Sequence, residues 1–207
     1  ELERITAVRD TIADLQRGQE ALEEMATLLE EVGRYEEARA VWDRRMGNML
    51  PGSSHYAACA TRRADDAFML GDDAAALAGW DAGGSYTDSM SRYYQGEILE
   101  GRGDRAGALA AYDRAAGGLH WFGDPVYRRA LLMLDDGVDP AAVADLLVQA
   151  SAQLDRGRML ERFADDPEAA RLQRVLEETG RIGDLRPEQP LELELAGPSE
   201  GAPRGGG

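Results

Sequence analysis

The chain has 207 residues, with 39 acidic and 23 basic side chains for a net charge of −16, two His, one Cys and 6% aromatic residues. A single Cys excludes an internal disulfide framework, no apolar run reaches the roughly 18 residues that span a bilayer, and so acidic a surface disfavours the phosphate backbone of nucleic acid. One domain of ordinary size in a reducing, cytoplasmic setting is expected, without membrane or nucleic-acid partners and with basic partners favoured.

The chain opens with Leu2, Ile5, Val8, Ile12 and Leu15 on one side of a helix, assigned here to residues 1–18. The spacing runs on through Gln19, Leu22, Ala26 and Leu29 in heptad fashion. Two readings stand: a leading helix that caps the body or remains from an upstream repeat, and a dimerising coiled coil. Gly18 and Gln19 interrupt the seam and favour the cap. Oligomeric state stays open.

From residue 19 to 182 apolar residues recur at three and four spacing, and alternating β-branched runs are nearly absent, so the chain reads as all-α. Asp124-Pro125, Asp139-Pro140 and Asp166-Pro167 mark helix starts, because Asp caps free amides and Pro suits the first helical position. Gly33, Gly137 and Gly180 mark helix ends. Residues 183–207 carry Pro187, Pro190, Pro198, Pro203 and a closing Gly run, the composition of a flexible tail. Within it, Leu191 to Leu195 alternates as an unpaired or edge-packed segment would.

Several helical stretches share one grammar. Gly33, Gly71, Gly103 and Gly137 each stand five residues before an Ala: Ala38, Ala76, Ala108 and Ala142. Four residues further come Trp42, Trp80, Tyr112 and Leu146, and twelve before each Ala lies another small residue, Ala26, Ala64, Gly96 and Ala130. Small residues belong where the two helices of a hairpin cross, and the ring fills the gap towards the neighbours. Leu29, Ala67, Leu99 and Met133 keep an apolar place one turn after the early small residue.

This pattern resembles the tetratricopeptide repeat over about residues 19–150. Its first aromatic place holds Leu22, Ala60, Arg92 and Val126, and its Leu place holds Met25, Arg63, Gln95 and Arg129. The resemblance implies a right-handed α-solenoid of about four helical hairpins, closed by helical caps and followed by the tail. It also implies that the first helix of each hairpin lines a concave groove. Carried over position by position, that groove includes Glu23, Glu30, Asp65, Phe68, Tyr93, Glu97, Glu100, Tyr127 and Leu131. Some family members hold the C-terminal carboxylate of a chaperone peptide with Lys, Arg and Asn at such places. Acids here point instead to a basic or amphipathic polypeptide segment.

Catalytic machinery is thin. His55 and Cys59 lie four apart, but two ligands do not make a zinc site, so a surface His and a buried thiol are expected. His120-Trp121-Phe122 reads as interhelical packing. Asp65-Asp66, Asp72-Asp73, Asp135-Asp136 and Asp165-Asp166 invite a metal-dependent enzyme, yet adjacent helical residues do not share a face. The expected function is therefore non-catalytic protein interaction as an adaptor or scaffold, with no cofactor, metal or catalytic residue. The alternatives are the peptide- or ligand-sensing part of a bacterial regulator, and an enzyme using the acidic pairs.

Overall fold

The computed structural model describes residues 2–117, 124–152, 154 and 156–185, without the side chains of residues 2–13, 156 and 158. These form helices α1 (Leu2–Glu31), α2 (Tyr35–Met46), α3 (Ser54–Met69), α4 (Asp73–Gly83), α5 (Ser89–Gly101), α6 (Arg105–Ala116), α7 (Asp124–Asp135), α8 (Pro140–Ala150), α9 (Arg156–Asp165) and α10 (Ala170–Glu178). Short 3-10 turns lie at Gly84–Tyr86 and Ile182–Asp184, no strand occurs among the described residues, and none of the described helices is long and apolar enough to cross a membrane. The all-α class read from the periodicity is the observed one. His120-Trp121-Phe122, Leu191 to Leu195 and the tail from residue 186 onward lie outside the described residues.

From α1 to α8 each helix packs on the one before it, and α10 packs on α7, α8 and α9. The first helices α1, α3, α5 and α7 all end in the same turn. Gly33, Gly71, Gly103 and Gly137 adopt φ of 74°, 75°, 79° and 75°, a left-handed conformation that costs any residue with a Cβ. Behind each Gly the next amide reaches back to the apolar place: Arg34 N–H to Leu29 O at 2.8 Å, Asp72 to Ala67 and Asp104 to Leu99 at 2.9 Å, and Val138 to Met133 at 3.0 Å. That is the Schellman closure, made four times on equivalent residues. Asp72 and Asp104 then cap the second helices by accepting the amides of Ala75 and Gly107.

The crossing residues behave as their size demands in three units. Ala26, Ala64, Ala38, Ala76 and Ala108 are fully buried, and the rings of Trp42, Trp80 and Tyr112 are buried beside them. Gly96 is the tightest case: a Cβ there would stand 2.4 Å from Tyr112 Cε1, so this ring fits only against glycine.

Four readings from sequence differ from the structure. In the fourth unit the turn holds one more residue, so that Asp139, two after Gly137, caps α8 through the Ala141 amide. The second helix therefore slips by one: Val143 and Leu147 are fully buried, while Ala142 is exposed. Next, α1 passes through Gly18 without a break, so the division at residue 18 matches no end of secondary structure. Finally, Leu185, assigned to the tail, is buried with Leu172, Val175 and Leu176 of α10 in the core that α7, α8, α9 and α10 share. Asp166-Pro167 also opens a turn rather than the helix itself. Asp166 Oδ1 accepts the Glu168 amide at 2.9 Å, and α10 begins at Ala170.

Candidate partner-binding site

Four of the groove residues named from sequence come together around one cavity of about 210 Å³: Tyr93 and Glu97 from α5, Tyr127 and Leu131 from α7. Tyr93 and Tyr127 occupy equivalent places in successive units, and both line the cavity. The far wall comes from α9 and the turn before α10, through Arg162, Asp166 and Glu168, with Asp124 and Arg128 of α7 between.

Both cations at the site are already engaged. Arg162 pairs with Asp124 Oδ1 at 2.9 Å and Asp166 Oδ2 at 3.3 Å, and its guanidinium lies 6.0 Å over the Tyr127 ring. Arg128 bridges Glu100 Oε1 at 2.6 Å and Glu168 Oε2 at 3.1 Å. Glu97 is different. Its Oε1 accepts the Tyr93 hydroxyl at 2.9 Å, and it has no ion-pair partner among the described residues. With four carboxylates against two guanidiniums, the lining of the cavity is net negative.

The phenols stay protonated. Burial pushes the Tyr93 hydroxyl well above its usual range, and the Glu97 carboxylate adds to the shift. Burial likewise raises Tyr127 to about 12, against the lowering influence of Arg162. Chemically the site offers hydrogen-bond donors, two aromatic faces and uncompensated negative charge, which suits a cationic group carried on an apolar stem.

The other five residues bond or pack within the chain. Glu30 Oε1 accepts the Trp42 indole N–H at 2.8 Å, and the same carboxylate pairs with Arg62. Glu100 Oε2 accepts the Tyr112 hydroxyl at 2.8 Å. Phe68 fills the equivalent place in the second unit, stacked on Tyr94 at 4.6 Å and tilted against Trp80 at 5.7 Å. The Trp80 indole turns instead to Asp65 Oδ1 at 2.7 Å, where Ser91 Oγ also donates at 2.7 Å, and burial raises the Asp65 carboxyl. Each buried ring thus finds an acceptor on the first helix of its own hairpin, as a buried N–H or O–H must. Glu23 accepts from Arg45 Nη2 at 2.5 Å.

A second pattern went unread in the sequence. Asp43, Asp81 and Asp113 each follow the ring of a second helix and bond to the first helix of the next unit: Asp43 with Arg63 at 2.5 Å, Asp81 with Gln95 at 2.9 Å, and Asp113 with Arg129. The three donors, Arg63, Gln95 and Arg129, stand at equivalent places, each one residue before the small crossing residue of its helix. The signal was the dipeptide itself, Trp-Asp twice and Tyr-Asp once, paired with a long donor in the following unit. Arg92 is buried and donates from Nη1 to Gln95 Oε1 at 2.9 Å and from Nη2 to the Gly84 carbonyl. Polar clasps stand here in place of apolar packing between units.

His55 is exposed and Cys59 is buried, its Sγ 3.4 Å from Arg45 Nη1. The acidic pairs are spent on caps and ion pairs, Asp72 on the Ala75 amide, Asp135 on Arg171 and Asp136 on Arg105. No group of three or more His, Cys, Asp or Glu side chains among the described residues is placed to hold a metal ion. No protein-family model matches the chain, and no curated protein matches it in sequence.

Proposed function

We propose that the chain is a tetratricopeptide-like, right-handed helical solenoid that acts as a non-catalytic protein-interaction module. Its partner is a basic or amphipathic polypeptide segment, and the lining of the groove runs from Tyr93 and Glu97 to Tyr127 and Leu131. The repeated Gly turn and the equivalent buried rings support the solenoid reading. The observation that carries the binding reading is Glu97, a carboxylate without an ion-pair partner among the described residues, beside two tyrosines in a cavity that bears an excess of acid. A Lys or Arg side chain entering there meets a charge partner and an aromatic wall.

Titration with a Lys/Arg-rich peptide tests it. Glu97→Arg should weaken capture about tenfold or more, because one attraction becomes a repulsion at an exposed position whose loss spares the core. Glu100 is unsuited to the same reversal, since it anchors Tyr112 and Arg128. Unchanged affinity in Glu97→Arg sinks the groove as the docking site.

A second reading draws on the size of the cavity. About 210 Å³ between Tyr93 and Tyr127 is the size of a small cationic molecule as well as of one side chain. Under that reading the chain is the sensing part of a regulator, and a small amine or guanidine alone raises its melting temperature without a peptide.

A further inference from the structure

The first helix carries an apolar face that every later unit covers. Counting from Ala26, Ala64, Gly96 and Ala130, the place two residues on holds Leu28, Asp66, Ile98 and Leu132. Asp66, Ile98 and Leu132 are buried, with Ile98 clustered on Ala76 and Trp80 of α4, and Leu132 on Ala108 and Tyr112 of α6. The place five residues before holds Ala21, then Cys59, Ser91 and Pro125, and these last three are buried as well. On α1 the same face is open: Met25 is 52% exposed and Leu28 54%, and Val32 extends the apolar surface beyond it, around a shallow depression of about 430 Å³. In α3, α5 and α7 this is the face on which the second helix of the preceding unit lies.

We infer that this face of α1 docks an amphipathic α-helix of a partner protein, seated as α2, α4 and α6 sit on α3, α5 and α7, with an apolar stripe against Met25, Leu28 and Val32 and Arg or Lys along one edge. The helical form follows from the three equivalent seats. The apolar stripe follows from the clasp place, which holds Met25 where Arg63, Gln95 and Arg129 reach an Asp, so a hairpin carrying the clasp Asp finds no donor there. The basic edge follows from charge. Glu20, Glu24 and Glu31 line the outer edge of the face, all exposed and none ion-paired among the described residues. The nearby cations are occupied, Arg17 by Asp14 and Arg34 by Glu37. The same acidic edge disfavours a second copy of this chain, whose own glutamates would meet it, and the chain's own acidic tail with Glu188, Glu192, Glu194 and Glu200. Helix-in-groove recognition reads such spaced apolar anchors.

The full chain is titrated calorimetrically with two synthetic helical peptides that share one Leu stripe, one edged with Lys and Arg, the other with Glu. The basic-edged peptide is expected to bind with an affinity that depends on Met25 and Leu28, and the acidic-edged peptide about tenfold or more weaker. Met25→Gln with Leu28→Gln should cost about tenfold or more, and Val32→Gln, at the most exposed of the three, is an independent second variant. Tyr86→Gln, at an exposed ring outside both the α1 face and the groove, should leave this binding unchanged. Equal binding of the two peptides, or affinity indifferent to the Gln variants, overturns the proposal. So does a concentration-dependent dimer that the Gln variants dissolve, since the occupant is then a second copy.

Discussion

Gln95 donates to Asp81 across 2.9 Å, and one unit earlier Arg63 makes the same bond to Asp43 at 2.5 Å. The two clasps are equivalent in place and unequal in surroundings. Gln95 is buried, whereas the Asp43 side chain is 55% exposed. Asp81→Ala leaves the buried amide of Gln95, and with it the Arg92 network, short of an acceptor, and should cost about 1–3 kcal/mol. Asp43→Ala removes a solvated ion pair and should cost under about 1 kcal/mol. Urea unfolding of the two variants side by side checks this. Equal losses would mean that the middle clasp carries no more of the inter-unit contact than its surface counterpart.

Glycine in a helix has two opposite meanings here. Gly96→Ala places a methyl 2.4 Å from the Tyr112 ring, which is itself fixed by its bond to Glu100, so it should destabilise by about 1–3 kcal/mol. Gly18→Ala, in the middle of α1 with nothing within 4 Å of the new methyl, should stabilise by about 0.5–1 kcal/mol. Thermal melts of the two variants should move in opposite directions.

The Gly-to-Ala-to-ring spacing was legible because each of those residues is chosen by geometry that tolerates no substitute: a left-handed turn, a close crossing and one large void. What stayed hidden were features that depend on a partner distant in sequence. Asp81 and Gln95 look like any two polar residues until α4 and α5 are laid together. Glu30, Asp65 and Glu100 looked like groove charges, because nothing local announces that a ring on the next helix will claim them. The one-residue slip at Asp139 was missed for the opposite reason, since Ala142 satisfied a pattern that Val143 and Leu147 satisfy in space. At the cavity, Tyr93, Glu97, Tyr127 and Leu131 were found through the repeat frame. Arg162, Asp166 and Glu168 lie beyond the last repeat, where that frame has no position for them.

Trp80 joins both kinds of constraint. Its ring is fully buried against Phe68 and Ala64, and its indole N–H is bonded to Asp65 at 2.7 Å. Trp80→Ala should cost about 3–5 kcal/mol as a large core truncation. Trp80→Phe keeps much of the volume and leaves Asp65 with Ser91 alone, so it should cost less, about 1–3 kcal/mol. Chemical denaturation that ranked the two equally would assign the whole effect to the lost hydrogen bond rather than to packing.

Asp66 stands at the place that Ile98 and Leu132 fill with hydrocarbon, buried between units with its Oδ2 lacking a hydrogen-bond partner. Burial raises its carboxyl to about 7, and the charge of Glu30 adds to the rise while Arg62 opposes it. The folded state therefore holds this proton more tightly than the unfolded chain, whose carboxyl titrates near its usual value of 3.8. Stability from this group is fully present below about pH 4, declines as pH rises towards about 7, and is level above that, because only the unfolded chain ionises freely across the interval. Asp66→Leu removes the titrating group and matches its counterparts. The variant should gain about 1–3 kcal/mol over the parent above about pH 7, with the gain shrinking as the pH is lowered towards about 4. Denaturant midpoints of both proteins measured across that range decide it. A gain that does not change with pH would mean that Asp66 keeps an ordinary carboxylate in the folded state.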